Sequence, residues 1–484
     1  MDFSWTTATA ALLAALAVSK VLQFVSGLKA VDYLPGLRVP FQPLSLPGML
    51  LPEMSWNPGV IFTWTWRRGT RNIYRRFGND TVSVVPFIYG TPTLYTQSME
   101  ITRQVVSVGE KTGVFGKAEE MSRIIRYKLV WNTTQKVYAD MIVSEGWVGN
   151  ATTDVPCVQQ LISKMPIQQC FGIISRTTLF ATAAPKWAWK LPLPWVRRTR
   201  QAYDTMRAFM NSQVQERRET INSSPGDNTA KDIFSLFVRA SEDEGGKLGF
   251  SDEELIGNVF ALLFAGHETT AHTLAATLGF LSLNPSIQEE TVAQVREVTK
   301  GRENGEIIFE DYSRLDKVLA AFYEGVRMFP SGVYLIREAK QDTVLNLSGA
   351  GEEPNILPVK KGTHVITDMI GVHYHTQYFS DPEEFKPARW YTDRTSDGDL
   401  ADAEEHTAFS VGPRACPGKK FAATEAVCLL ALLLRDWKVV PLLSVNVSTG
   451  EKETTQEWRA RVMHPVMGIT MGVRDIPLTF VRRI

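Results

Sequence analysis

The stretch that most constrains this chain runs from Phe409 to Gly418, F-S-V-G-P-R-A-C-P-G. It sets one cysteine, Cys416, just ahead of an apolar pattern with helical spacing: Phe421, Ala422, Ala426, Leu429, Leu430 and Leu433. A thiol at the mouth of a helix faces unpaired N–H groups and the positive end of the dipole, and both lower its pKa. Gly412 and Gly418 carry no Cβ, so backbone there can approach a broad, flat ligand. Arg414, two residues before the sulfur, can reach an anionic group at the ligand's edge. The plainer reading is a structural cysteine that happens to precede a helix. The matched residues around Cys416 favour the reactive one.

With 484 residues and 44% hydrophobic content, the chain can bury a large core as one big domain or two. Lysine plus arginine equals aspartate plus glutamate at 52 each, so no global charge points to nucleic acid. Among the four cysteines, Cys157, Cys170, Cys416 and Cys428, there is no C-x-x-C pair or zinc spacing. The three besides Cys416 read as reduced structural thiols in a reducing compartment. From Trp5 to Leu28 the chain is apolar, interrupted mainly by Lys20, and long enough to span a bilayer if Lys20 snorkels. The segment opens with Asp2 where a cleaved signal would carry positive charge. Lys20, Lys29 and Arg38 lie on its carboxyl side, which predicts a cytosolic remainder. A soluble hydrophobic helix is the alternative. Residues 34–58 then hold six prolines in an irregular tract that would orient a domain against the membrane. The expected layout is an anchor at 1–28, a proline-rich hinge at 29–57 and one catalytic domain at 58–484.

Within that domain, Thr81–Val85 and Thr93–Thr96 read as a hairpin around Gly90, with Ser98 capping the next helix. Residues 185–200 interleave Trp187, Trp189 and Trp195 with five basic residues. That pattern suits a surface dipping into lipid headgroups, or a loop packing its tryptophans on the core. Ser251 with Glu254 forms a capping box, and the run Leu255–Leu283 is apolar on nearly all sides, which predicts a buried helix. Inside it lies A-G-H-E-T-T, Ala265 to Thr270. An acid and two hydroxyls in a buried helix are costly unless solvated or used. A second helix, Leu315–Met328, places Glu324 and Arg327 three apart on one face, and Arg389 follows in Pro387-Ala-Arg389-Trp390. Asn346–Val372 carries strand signals, and the tail from Val439 to Ile484 reads as a small sheet. His373 and His375 lack a third ligand and read as packing histidines.

The pattern Phe-x-x-Gly-x-Arg-x-Cys-x-Gly resembles the haem-binding signature of the cytochrome P450 family, with every fixed position filled. The Ala265–Thr270 stretch is similar to that family's oxygen-activating helix, and Glu324, Arg327 and Arg389 to its Glu-Arg-Arg triad. The resemblance implies a mainly α fold with a minor β-sheet, preceded by one N-terminal transmembrane helix. It implies that Cys416 is the protein ligand to haem iron, in a loop whose Phe409, Gly412, Arg414 and Gly418 bind the cofactor. A haem-bound thiolate pushes electron density to the opposite axial site and favours O–O cleavage. By the same resemblance Arg337 meets a haem propionate, and Glu268 and Thr269 deliver protons to dioxygen through water. Glu324, Arg327 and Arg389 would be structural, and Ser331 to Ile336 would line the substrate pocket. The implied reaction inserts one oxygen atom of dioxygen into a lipophilic small molecule at the endoplasmic reticulum. Electrons would come from an NADPH-dependent reductase, and the positive charge of Lys419, Lys420, Arg435 and Lys438 suits either docking of such an acidic partner or a solvated face. The layout looks like that of fungal members, which serve secondary metabolism or detoxification.

The chain departs from the family between Ser98 and Trp187, where no Trp-x-x-x-Arg spacing occurs. In the family that helix holds a propionate. A missing segment is the simplest interpretation, with Arg123 or Arg126 as substitutes. Two other classes stay open: a peroxygenase or isomerase that needs no reductase, and a haem protein with impaired or no catalysis.

Overall fold

A computed structural model describes residues 5–118, 165–184, 187–223, 232–242, 252–347, 355–391, 407–445, 450–468, 470–473 and 475–483. Ser251, Arg123, Arg126 and Cys157 lie outside the described residues, as does about half of the stretch from Ser98 to Trp187 that lacks the Trp-x-x-x-Arg spacing. The chain divides into two compact units, Met1–Glu119 with Tyr323–Ala415, and Glu120–Phe322 with Cys416–Ile484.

The first unit opens with α1, Trp5–Ala30. Its stretch Ala8–Ala30 is long and apolar enough to cross a membrane, by length and composition. The helix runs past the expected end of the anchor, and its last turns are already part of the folded unit. Phe24 meets Phe87 edge-on at 6.3 Å, and Lys20 Nζ donates to the Ile88 carbonyl at 2.8 Å. The proline tract is only partly irregular, because β1 (Gly36–Phe41) pairs in parallel with β2 (Thr81–Tyr89). Gly36 makes that pairing possible: a Cβ there would lie 1.9 Å from the Ser83 carbonyl oxygen. The expected hairpin forms from β2 and β3 (Thr93–Thr96), and Ser98 accepts from the Ile101 N–H as the cap.

The other strands of this unit are β4 (Phe115–Gly116), β5 (Tyr334–Ala339), β6 (Thr343–Leu347), β7 (Asn355–Val359) and β8 (His364–Asp368). They complete a six-stranded mixed sheet ordered β1-β2-β3-β8-β5-β4, with β6 and β7 as a separate ribbon. Val85, Leu94, Val105, Val106, Phe115 and Val365 form one apolar core on it, each fully or almost fully buried. Burying such a side chain contributes about 1.5–3 kcal/mol, so the sheet is a rigid base for what its edges carry.

Helices dominate the second unit: α2 (Ile167–Ala183), α3 (Pro194–Ser223), α4 (Ile233–Glu242), α5 (Asp252–Leu283) and α6 (Pro285–Val298). The boundary between units falls inside α7 (Asp316–Met328), and α8 (Lys419–Asp436) and α9 (Thr455–Val462) complete the set. Helix α5 packs against α3, α4, α6 and α8. It is less enclosed than its sequence predicts. Ala265, Gly266 and His267 are exposed, and the helix is mostly enclosed only beyond Thr270. Small residues create that opening, since a Cβ on Gly266 would meet nothing within 4 Å.

The buried face of α8 is Ala423, Ala426, Val427, Leu430, Ala431 and Leu434. Leu429, expected on that face, is 45% exposed, so the stripe is turned relative to the predicted one. Two antiparallel ribbons close this unit: β9 (Trp437–Pro441) with β12 (Leu478–Arg482), and β10 (Pro465–Met467) with β11 (Met471–Val473). The tail is therefore not all sheet. Its sequence hides α9, opened by a Thr454–Glu457 capping box and anchored by the fully buried Trp458.

Candidate functional site

In the first unit the π-helical turn Arg103–Val108 packs against the turn Gly412–Arg414. Gly412 has φ of 75°, and a Cβ there would lie 2.9 Å from Ser107 Cα and from the Val106 carbonyl oxygen. The space that Gly412 vacates is thus filled by the chain's own backbone, where a flat ligand was expected. Phe409 sets its ring edge-on to Tyr323 at 6.3 Å.

Arg414 reaches back over this contact to Glu110. Its Nε lies 3.2 Å from Glu110 Oε1, and Arg337 Nε lies 2.7 Å from the same oxygen. The three side chains are 27%, 3% and 7% exposed, for Arg414, Glu110 and Arg337 respectively. Burial draws the Arg337 guanidinium below its ordinary value; Glu110 opposes the shift and Arg414 adds to it. Lys117 belongs to the same cluster, and burial with repulsion from Arg414 and Arg337 brings its ammonium down to about 7. The two arginines predicted to meet a propionate therefore converge on one carboxylate.

In the second unit Cys416 is exposed and Gly418 stands beside it, where a Cβ would meet Sγ at an unforced 3.8 Å. The thiol departs from expectation. Burial by surrounding protein atoms pushes it up, against the Gly418 and Lys419 N–H groups and the Lys419 charge. The helix start opposes the shift without overcoming it; a metal bound there would make the thiol a thiolate outright.

Glu268, on α5, accepts a hydrogen bond from Ser175 Oγ on α2 at 2.8 Å, and His272 Nε2 lies 3.7 Å from the same oxygen. The His272 contact holds this carboxyl below its usual range against burial, with Ser175 helping. His272 is itself set by β11, since a Cβ on Gly472 would come within 2.3 Å of its Nδ1. Thr269 Oγ1 donates to the Ala265 carbonyl at 2.7 Å. His272 was visible in sequence as the i+4 neighbour of Glu268; Ser175 carried no signal.

Glu324, Arg327 and Arg389 do come together. Arg327 donates through Nε and Nη2 to the two Glu324 oxygens, each at 2.8 Å, and Arg389 Nε adds a contact at 3.1 Å. The structure supplies two donors that sequence reasoning missed: Trp390 Nε1 at 2.8 Å and the Lys386 N–H at 2.9 Å. Burial pushes the Glu324 carboxyl up, but Arg327, Arg389 and Lys386 outweigh it and hold it below the usual range. His373 joins from outside, receiving Arg327 Nη1 on its carbonyl and placing Nδ1 3.0 Å from the Arg327 carbonyl. Its Nε2 meets Thr407 Oγ1 at 3.2 Å, and His375 faces Asp80, so both histidines are engaged in packing contacts.

Comparison with known proteins identifies the family. A family model described as Cytochrome P450 matches residues 166–464, more than half of the chain. The chain belongs to the cytochrome P450 family. Cytochrome P450 monooxygenase 124 of Postia placenta is 32% identical over 321 residues, spanning 66% of this chain and 59% of its own length. Cyclooctat-9-en-7-ol 5-monooxygenase of Streptomyces melanosporofaciens is 29% identical, spanning 57% of this chain and 55% of its own. Cytochrome P450 4F5 of Rattus norvegicus is likewise 29% identical, over 51% of this chain and 46% of its own. The matches thus span about half of these relatives' length. The crystal structure of the cytochrome P450DA haem domain shares the fold, with a TM-score of 0.60 and 17% identity. That likeness covers 93% of this chain and 99% of the other.

Haem is the group that membership of the cytochrome P450 family implies, and the donor set of this chain fits it. Arg337 and Arg414 already converge on a carboxylate, the chemistry of a propionate, and Cys416 offers an exposed thiol three residues before α8. A cavity of about 40 Å³ in the first unit, lined by Thr63, Tyr74, Gln97 and Asp368, holds none of the predicted site residues.

Proposed function

We propose that this P450 is a haem-thiolate monooxygenase acting on lipophilic small molecules, tethered to the endoplasmic reticulum by α1 with its catalytic domain in the cytosol. The proposed layout keeps an N-terminal anchor, a link to about residue 57 and a catalytic domain beyond, with α1 running on to Ala30 and the link lending β1 to the sheet of the first unit. The observation that carries the reading is Cys416, exposed ahead of α8 within a stretch whose fixed positions are all filled. Cys416 would hold the iron, and Arg337 and Arg414 the propionates. Bound haem supplies the redox centre at which dioxygen is reduced and one of its oxygen atoms is transferred to substrate. The protein's own part is proton handling and exclusion of bulk. Glu268, held ionised by His272 and Ser175, takes up and passes on a proton. Thr269 spends its hydroxyl proton on the Ala265 carbonyl, so its oxygen serves as an acceptor. Ala265 and Gly266 keep that turn of α5 clear of side-chain bulk.

Electrons would come from an NADPH-dependent reductase. Of the four cations expected to dock it, Arg435 pairs with Asp436 and Lys438 faces Glu289, while at the start of α8 Lys419 is half-buried and Lys420 exposed. Exposed Trp187, Leu193 and Trp195 support a second, weaker membrane contact. A second reading, haem binding without turnover, draws on the missing Trp-x-x-x-Arg spacing; product formed per NADPH consumed separates the two. The test of the ligand is Cys416→Ala, which should abolish the red-shifted Soret band of the reduced carbon monoxide complex. Cys170→Ala and Cys428→Ala should keep it. A band that survives without Cys416 overturns the assignment.

A further inference from the structure

Arg337 occupies a position where the alternation of β5 places apolar residues, between Leu335 and Ala339, both members of the buried core. A cation there is tolerable only beside an anion. That anion is Glu110, and the way it is held is unusual. Its Oε1 takes both ion pairs, yet neither carboxylate oxygen accepts a well-aligned hydrogen bond among the described residues. Lys117 feels the same carboxylate and both guanidinium groups; burial, with repulsion from the guanidinium groups, brings its ammonium down to about 7, so positive charge is crowded near Glu110. The cluster therefore has donors and positive charge to spare.

We propose that Glu110 is a built-in stand-in for a haem propionate. It neutralises Arg337 and Arg414 before haem arrives, then competes with the propionate for them, and so limits haem affinity. The proposal rests on the haem-thiolate reading above. A propionate is a second carboxylate with the same donor requirements as Glu110. Two carboxylates leaning on the same guanidinium groups repel one another at short range, and Glu110, poorly bonded, is the one that yields.

The experiment uses the full chain produced without haem. It is titrated with haem and with haem dimethyl ester, whose capped carboxyl groups carry no charge. The wild-type chain should prefer haem over the ester only modestly, because Glu110 offsets the gain. Glu110→Gln keeps the shape and removes the charge. Its preference for haem should widen about tenfold, the scale of one charge-assisted contact, while the haem-free protein melts at a lower temperature. A merely structural role would lower stability and haem binding together. An unchanged or narrowed preference overturns the proposal. Should the Gln variant fail to fold, Glu110→Asp withdraws the carboxylate by one methylene with less disturbance. It should widen the preference by a smaller factor, and no widening overturns the proposal. The reduced carbon monoxide spectrum keeps the two ideas apart. Without a thiolate signature in the wild-type chain the haem-thiolate reading falls and the proposal with it; an intact signature with unchanged preference overturns the role of Glu110 alone.

Discussion

Two carboxylates in the first unit, Glu324 and Glu110, each lie buried between two arginines, and they are held in opposite ways. Glu324 takes Arg327 on both oxygens and adds Arg389, Trp390 and the Lys386 N–H. Glu110 takes two guanidinium groups on one oxygen, with no well-aligned hydrogen bond among the described residues. Burial costs both groups alike, so the count of satisfied lone pairs decides what each can do. A carboxylate with every lone pair engaged is a permanent fastening. One with loose partners can exchange them.

The comparison breaks most visibly at Glu324. Glu324→Gln leaves Arg327, fully buried, without its counter-charge, and should cost about 3–5 kcal/mol in unfolding free energy. Because the Glu324 carboxyl is held below its usual range, its contribution is present at neutral pH and is lost as pH falls through the acid range. The gap between wild type and variant in denaturant titrations should therefore narrow on acidification. A gap that stays constant or widens would show that the network does not depend on the charge.

Asp368 sharpens the contrast, being buried and, among the described residues, in no ion pair. Burial raises its carboxyl to about 6, although Tyr74 donates to it at 3.0 Å. Here the sign reverses: the stability it allows is complete below pH 4 and is lost as pH rises through 6. Asp368→Asn should thus stabilise the chain by about 3 kcal/mol at pH 8, from a shift of roughly two pKa units, and by little near pH 4. Melting curves at the two pH values check this, and equal effects at both would refute it.

Smaller effects separate the two arginine sites. Trp390→Phe removes one donor to Glu324 and should cost about 2 kcal/mol, the worth of a hydrogen bond to a charged group. For the haem-free chain Glu110→Gln should cost least, on the order of 1–2 kcal/mol, since Arg414 keeps partial access to water. Chemical unfolding of the two variants side by side would reverse the comparison if Glu110 proved the more costly loss.

What could be read from the chain alone was what lies close together along it. The cysteine two residues beyond Arg414, the Glu324–Arg327 pair at i, i+3 and the acid–hydroxyl turn of α5 each declare themselves through spacing on a single element. The N-terminal helix was legible too, because its length and apolarity are properties of one segment. The short helix α9 was not, being charged and flanked by turns, with burial of Trp458 supplying what propensity lacks. Glu110 was beyond reach for a different reason. Only the pairing of β4 with β5 and the fit of Gly412 against Ser107 bring residues 110, 337 and 414 to one point. Sequence determined which groups could carry the chemistry. Tertiary structure decided which charges meet, because contacts between distant segments depend on strand register and close packing that no local pattern encodes.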